Sequence, residues 1–153
     1  MILLLLQKGG TMKDIDIAKE LLKKEQLSLA IIKNGEIIFT NSDFGIKPMY
    51  IAAMEFKDCL EGASVADKVI GRAAAMLLKY AEIKELHTDL ISEKAFEVLE
   101  SSNIKFEYEE KAEYIINRDN TGMCPVETMS LNTDNIEELL NHIAAFLKKI
   151  NKL

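Results

Sequence analysis

Ser64-Val65-Ala66-Asp67-Lys68-Val69-Ile70-Gly71-Arg72-Ala73-Ala74-Ala75-Met76-Leu77-Leu78-Lys79-Tyr80 is the stretch on which the fold turns. Its opening carries helix-start signals. Ser64 can cap free N–H groups, and Asp67 three residues on completes a Ser-x-x-Asp capping box. Gly71, Ala73, Ala74 and Ala75 make a surface of little bulk that another element can approach closely. The spacing predicts one helix over residues 64–80, with Asp67, Lys68 and Arg72 near the positive end of its dipole, where anions bind. Lys68 and Arg72 are four residues apart and would share a face of that helix.

On the N-terminal side, residues 14–26 place Ile15, Ile17, Ala18, Leu21 and Leu22 at helical spacing among lysines and glutamates. Residues 27–33 and 36–40 are β-rich runs joined by Asn34-Gly35, a strong hairpin signal because both positions of a type I′ turn need positive φ. Ala30 and Ile32 alternate with Leu27, Leu29 and Ile31, so both faces of the first strand are apolar, as in a strand covered on two sides. Gly45-Ile46-Lys47-Pro48 breaks the chain before a helix over residues 48–60. Beyond the opening stretch come a strand at 83–91, a helix at 93–100 capped by Ser92, and strands at 104–108 and 114–117. A short helical turn follows Cys124-Pro125, and Thr133 caps a last helix at 134–150. This order predicts an α/β protein: one mixed five-stranded sheet with helices on both faces, a three-layer α/β/α sandwich.

The 153 residues suit one domain with a substantial core. A net charge of −6 argues against sequence-independent nucleic-acid binding, while a small anion in a local basic pocket remains compatible with it. Two cysteines and two histidines in no regular spacing exclude a zinc finger and argue against a disulfide scaffold, which points to the reducing cytoplasm. The apolar run Ile2-Leu3-Leu4-Leu5-Leu6 is too short to span a bilayer and lacks the flanks of a signal peptide. Lys8-Gly9-Gly10 can be encoded as AAA-GGA-GGN, a bacterial-type ribosome-binding site ahead of Met12. The expectation is a translated leader or a disordered N-terminus at residues 1–11 and a single domain over 12–153, with no membrane partner.

The element order resembles the cytidine deaminase-like fold, in which a hairpin precedes a helix carrying His-x-Glu and a later helix opens with Pro-Cys-x-x-Cys. Three ligands there hold Zn²⁺, the metal activates water, and the Glu moves protons. Aligned by order, Ala66-Asp67-Lys68-Val69 falls at the first motif and Ile91-Ser92-Glu93-Lys94-Ala95 at the second, so the ligands and the proton shuttle are all replaced. The chain is more closely similar to a family of small prokaryotic proteins known only as a domain of unknown function, of that fold without its zinc site. Three motifs carry this similarity: Gly45-Ile46-Lys47-Pro48, the segment from Ala66 to Ala74, and the segment from Ile116 to Glu127. The resemblance implies a fold, no zinc-dependent deamination, no metal or cofactor, and a homo-oligomer as an arrangement common among relatives. It transfers no activity.

Two readings apply to each candidate residue. Asp67 and Lys68 are either a solvated helix start or part of a retained pocket in which Lys68 and Arg72 meet an anionic group. Cys124-Pro125-Val126-Glu127 has the form of a capping box with a thiol at the cap. That makes Cys124 either a structural thiol or an activated nucleophile, with Asp67 or Glu127 as proton partner. His87 could serve Cys124 only from the correct strand face, and His142 reads as a surface residue. Asn117 and Arg118 belong to a turn-forming loop, where a fixed guanidinium also suits carboxylate or phosphate. Lys47 can join an anion site from the helix entrance. Cys59, Met49 and Tyr50 read as packing residues, and Glu107, Glu109, Glu110 and Glu113 as a solvated edge. The catalytic candidates are thus Cys124, Asp67 and Glu127, and the ligand-binding candidates Lys47, Asp67, Lys68, Arg72, Asn117 and Arg118. The leading function is binding of a small anionic or nucleotide-like ligand. A thiol enzyme and a purely structural or interaction module are the alternatives.

Overall fold

Asn34 and Gly35 both take positive φ, 53° and 78°, and the chain reverses there as the Asn-Gly pair predicts. Asp14 fixes the turn from outside, accepting the Asn34 N–H at 2.8 Å and the Gly35 N–H at 2.9 Å. The computed structural model describes residues 12–153, so the expected leader at residues 1–11 lies outside the described residues. Helix α1 (Asp14–Lys24) precedes the hairpin β1 (Leu29–Lys33) and β2 (Glu36–Asn41), which leads into helices α2 (Lys47–Glu55) and α3 (Lys57–Leu60). Then follow β3 (Ser64–Ile70), α4 (Arg72–Tyr80), β4 (Glu85–Ser92), α5 (Glu93–Glu100), β5 (Lys105–Ala112), α6 (Pro125–Ser130) and α7 (Ile136–Lys149).

The predicted helix over residues 64–80 is instead a strand and a helix. β3 is the middle strand of the sheet, whose order is β2-β1-β3-β4-β5. It pairs antiparallel with β1 and parallel with β4. Val65, Val69 and Ile70 are β-branched and suit a pleated strand, and two neighbours satisfy its backbone on both sides. Val65 and Ala66 are fully buried, one on each face. Gly71, at φ −92° and ψ 179°, ends the strand and stands at the N-cap of α4. The Ser64–Asp67 capping box therefore does not form, and Ala66, Asp67, Lys68 and Val69 are not at a helix start, where the resemblance put them. Among the described residues the sheet has five strands as predicted, but the expected strand at 114–117 is only an isolated bridge between Ile116 and Met123.

Two cross-sheet rungs show how the layers are built. Ile31, Val65, Leu86 and Phe106 lie side by side across β1, β3, β4 and β5, and face the larger apolar cluster with α2, α4 and α7. The next rung, Ala30, Ala66, His87 and Glu107, faces the other way. There α1 packs Ile17, Ala18, Leu21 and Leu22 onto Ala30, Ile32 and Ala66. Each fully buried Ile or Leu contributes roughly 1.5–3 kcal/mol, which fixes α1 over β1 and β3. Beyond its reach the rung becomes polar.

Three smaller expectations change. The helix at 48–60 divides at Phe56 into α2 and α3, and Cys59 is exposed rather than core. The last helix is capped by Asn135, whose side chain accepts from the Glu138 N–H, while Thr133 accepts the Asn135 N–H at 3.0 Å instead. Among the described residues no helix is long and apolar enough to cross a membrane.

Candidate functional site

The carboxyl end of β3 opens into a cavity of about 600 Å³. β3 is where the topology divides: α4 and β4 continue to one side, while the hairpin strand β1 runs antiparallel on the other. The crevice lies between the carboxyl end of β3, the start of β1 at Ser28 and Leu29, and the helices α2, α4 and α7. Met49 of α2, Ala73 and Ala74 of α4, and Phe146 and Leu147 of α7 form apolar walls. Small alanines at the start of α4 leave the room. Around the rim stand Val69, Ile116 and Phe44, the last 72% exposed.

Charged groups of both signs line the same space: Lys47, Lys68, Arg118 and Lys152 against Asp43, Asp67, Asp119 and Glu127. Asp67 keeps part of its surface open to the cavity, yet burial is the largest influence on its carboxyl and raises it from 3.8 to about 7. Asp89 adds to the rise, and the N–H groups of Val69 and Lys68 oppose it; the Val69 N–H donates to Asp67 Oδ1 at 3.1 Å. Lys47 Nζ lies 4.0 Å from Asp43 Oδ2. Arg118 rests its guanidinium 5.4 Å from the Phe44 ring centroid, joining the two loops at the rim. Among the described residues no ion pair involves Asp67, Lys68 or Arg118.

The sequence profile of a domain of unknown function, DUF1893, matches residues 17–147, most of the chain. The chain belongs to the DUF1893 family. Its structure is similar to the crystal structure of a DUF1893 family protein (TM1506) from Thermotoga maritima, with a TM-score of 0.79 and 30% identity over 88% of this chain and 91% of that one. No curated protein matches the chain in sequence.

In this DUF1893 chain, Asp67, Lys68, Lys47, Asn117, Arg118, Cys124 and Glu127 all line the one cavity, although they are scattered along the sequence. Arg72 does not. Its guanidinium donates to the Ser130 and Thr133 carbonyls and pairs with Asp134, binding the end of α6 to the approach of α7. Lys68 stands on β3 and Arg72 on α4, so they do not share a helix face. Asn117 has its amide committed within its own loop: Nδ2 donates to Thr121 Oγ1 at 2.9 Å, and Oδ1 accepts the Thr121 N–H at 3.0 Å.

Glu127 is 3% exposed, and its carboxylate is filled by protein donors. Oε1 accepts from the Arg72 N–H and the Ser92 hydroxyl, each at 2.9 Å, and Oε2 accepts the Ile115 N–H at 2.6 Å. The expected capping box at Cys124 is absent, because Glu127 reaches other elements and the Cys124 N–H donates to the Ile115 carbonyl at 2.7 Å. Cys124 caps nothing with its thiol. Neither histidine lines the cavity. His87 projects to the α1 face, with Nδ1 3.0 Å from Glu107 Oε1, and His142 is exposed on α7. Among the described residues no group of three or more His, Cys, Asp or Glu is placed to hold a metal ion. Sequence reading missed Phe44 and the Ser92–Glu127 contact. An aromatic residue inside the turn-forming run Asn41-Ser42-Asp43-Phe44-Gly45 was the available signal for the first.

Proposed function

We propose that this chain binds a small ligand with an anionic group, of nucleotide-like size, in the cavity at the end of β3. The carrying observation is that Lys68 and Arg118 border a 600 Å³ apolar-walled cavity without a carboxylate partner among the described residues. Cavities of this volume and lining suit small metabolites, and a planar guanidinium beside an exposed aromatic ring suits phosphate or carboxylate on a flat body. The layering is best read as a three-layer α/β/α sandwich of cytidine deaminase-like type. In the observed element order the helix after the hairpin is α2 and the helix after the next strand is α4. Their entrances carry Lys47-Pro48 and Gly71-Arg72, residue types that do not hold Zn²⁺, so binding without zinc-dependent deamination is the reading we favour.

A thermal-shift screen over nucleotides and sugar phosphates tests this. A hit should raise the melting temperature of the wild type and lose its effect in Arg118→Ala and Lys68→Ala. A screen without hits favours an interaction module instead. The thiol-enzyme reading keeps one supporting observation, that Cys124 lines the same cavity.

A further inference from the structure

We propose that the ligand is zwitterionic, its anion held at the rim by Arg118 and Lys68 and a primary amine or similar N–H donor paired with Asp67 inside. This rests on the binding reading above and deepens it. The lining is not simply basic: four carboxylates accompany four cations. Glu127 is filled by backbone and hydroxyl donors, and Asp43 stands beside Lys47. Asp119 is exposed. Asp67 remains as a half-buried carboxyl that faces the N–H groups of Val69 and Lys68, with no cation within 4.0 Å among the described residues.

Buried carboxylates are ordinarily paired, because desolvation without a partner is costly. A carboxylate offers about four acceptor positions, so the Val69 and Lys68 N–H groups leave room for an ammonium group. Inside an apolar-walled cavity such a pair is far stronger than in water. A purely anionic ligand would satisfy the rim and leave Asp67 unmet. A ligand of both charges satisfies the two together.

Isothermal titration of the intact chain with matched probes separates these cases. The probes are ethyl, hexyl and phenethyl phosphates, each with and without a terminal primary amine. At least one amine-bearing phosphate should bind tenfold or more tightly than its amine-free partner, about the factor of one added charge-assisted pair. Asp67→Asn keeps an oxygen for the Val69 N–H and should erase that preference, whereas Asp67→Glu should restore part of it. Arg118→Ala should weaken both members of each pair alike. Equal binding within every pair, or an amine preference that survives Asp67→Asn, overturns the zwitterionic ligand and leaves phosphate binding standing. Failure of every probe to bind overturns both.

Discussion

Glu127 caps a helix that begins 55 residues before it: its carboxylate accepts the backbone N–H of Arg72, the first residue of α4, at 2.9 Å. Gly71 at the N-cap offers no side chain for the free N–H groups there, so an acid from α6 supplies the acceptor. The same carboxylate takes the Ser92 hydroxyl at the end of β4 and the Ile115 N–H on the arm that leads to Arg118. Glu127→Gln turns one acceptor into a donor that faces an N–H or a hydroxyl. We expect a loss of about 2–4 kcal/mol, from one broken charge-assisted bond and one unsatisfied group. Urea unfolding measures it, and a variant within experimental error of wild type would show that the carboxylate bears little of the fold.

Gly71 gives a second, coupled prediction. Its φ of −92° is open to any residue, so an alanine there would normally stabilise by about 0.4–1 kcal/mol. Here a Cβ would stand 3.2 Å from Glu127 Oε1 and 3.3 Å from Ile115 Cγ1. Three hydrogen bonds pin that carboxylate, so it yields poorly. Gly71→Ala should destabilise by about 1 kcal/mol, and its effect should shrink or reverse in a Glu127→Ala background, the non-additivity expected of groups in contact. Additive effects would mean that the two do not press on each other.

Arg72 and Lys68 should separate cleanly. Arg72 holds two carbonyls and Asp134 and is 14% exposed, so Arg72→Ala leaves acceptors unmet and should cost about 2–4 kcal/mol in unfolding experiments. Lys68 is exposed and unpaired among the described residues, so Lys68→Ala should change stability by less than about 0.5 kcal/mol. Its loss should appear in ligand binding alone. The reverse pattern would move the anion site to Arg72.

That exchange of roles shows what the sequence could and could not convey. Periodicity identified α1, α5 and α7, and the Asn34-Gly35 turn identified the hairpin, because each rests on local chemistry. The sequence predicts a helix across β3 because Ser64, Ala66, Asp67 and Lys68 are locally good helix-start residues, and only the strand's place between β1 and β4 decides otherwise. Three β-branched residues in Ser64–Ile70, followed by Gly71, were the competing signal. The lining residues stood out as polar groups beside turns and breaks, which is how loops at strand ends look in sequence. Their roles did not, since no local pattern says that Glu127 spends its carboxylate on α4 or that Arg72 faces two carbonyls.

Asp67 makes stability depend on pH in an uncommon direction. Burial holds its carboxyl at about 7 in the folded chain against 3.8 when unfolded, so the folded state binds the proton more tightly. Its contribution is fully present below about pH 4 and is lost as pH rises through about 7. Asp67→Asn should therefore recover stability at about pH 8 and little at about pH 4. Glu107 acts oppositely and at lower pH, because the Lys19 ammonium holds its carboxyl below the ordinary range, so the comparison is wild type against variant at each pH. Thermal melts across this window measure the difference. A variant less stable than wild type at high pH would mean that Asp67 is paired after all.

The two thiols decide between a binding cavity and a thiol enzyme. Cys59 is exposed on α3, whereas Cys124 is half-buried and lines the cavity at the start of the six-residue α6. No histidine faces Cys124 in the cavity, and Glu127, its nearest acid in sequence, already accepts three hydrogen bonds. Asp67 shares the cavity but is assigned to the ligand in the binding reading, and a thiol whose proton no base takes reacts at a rate set by exposure. Iodoacetamide at about pH 7 should therefore label Cys59 faster than Cys124, as peptide mapping by mass spectrometry would show. A saturating ligand from the phosphate screen should slow Cys124 further and leave Cys59 unchanged, since only Cys124 shares the cavity. Faster labelling of Cys124 than of Cys59 would falsify the binding-only reading and make Cys124 the nucleophile to pursue.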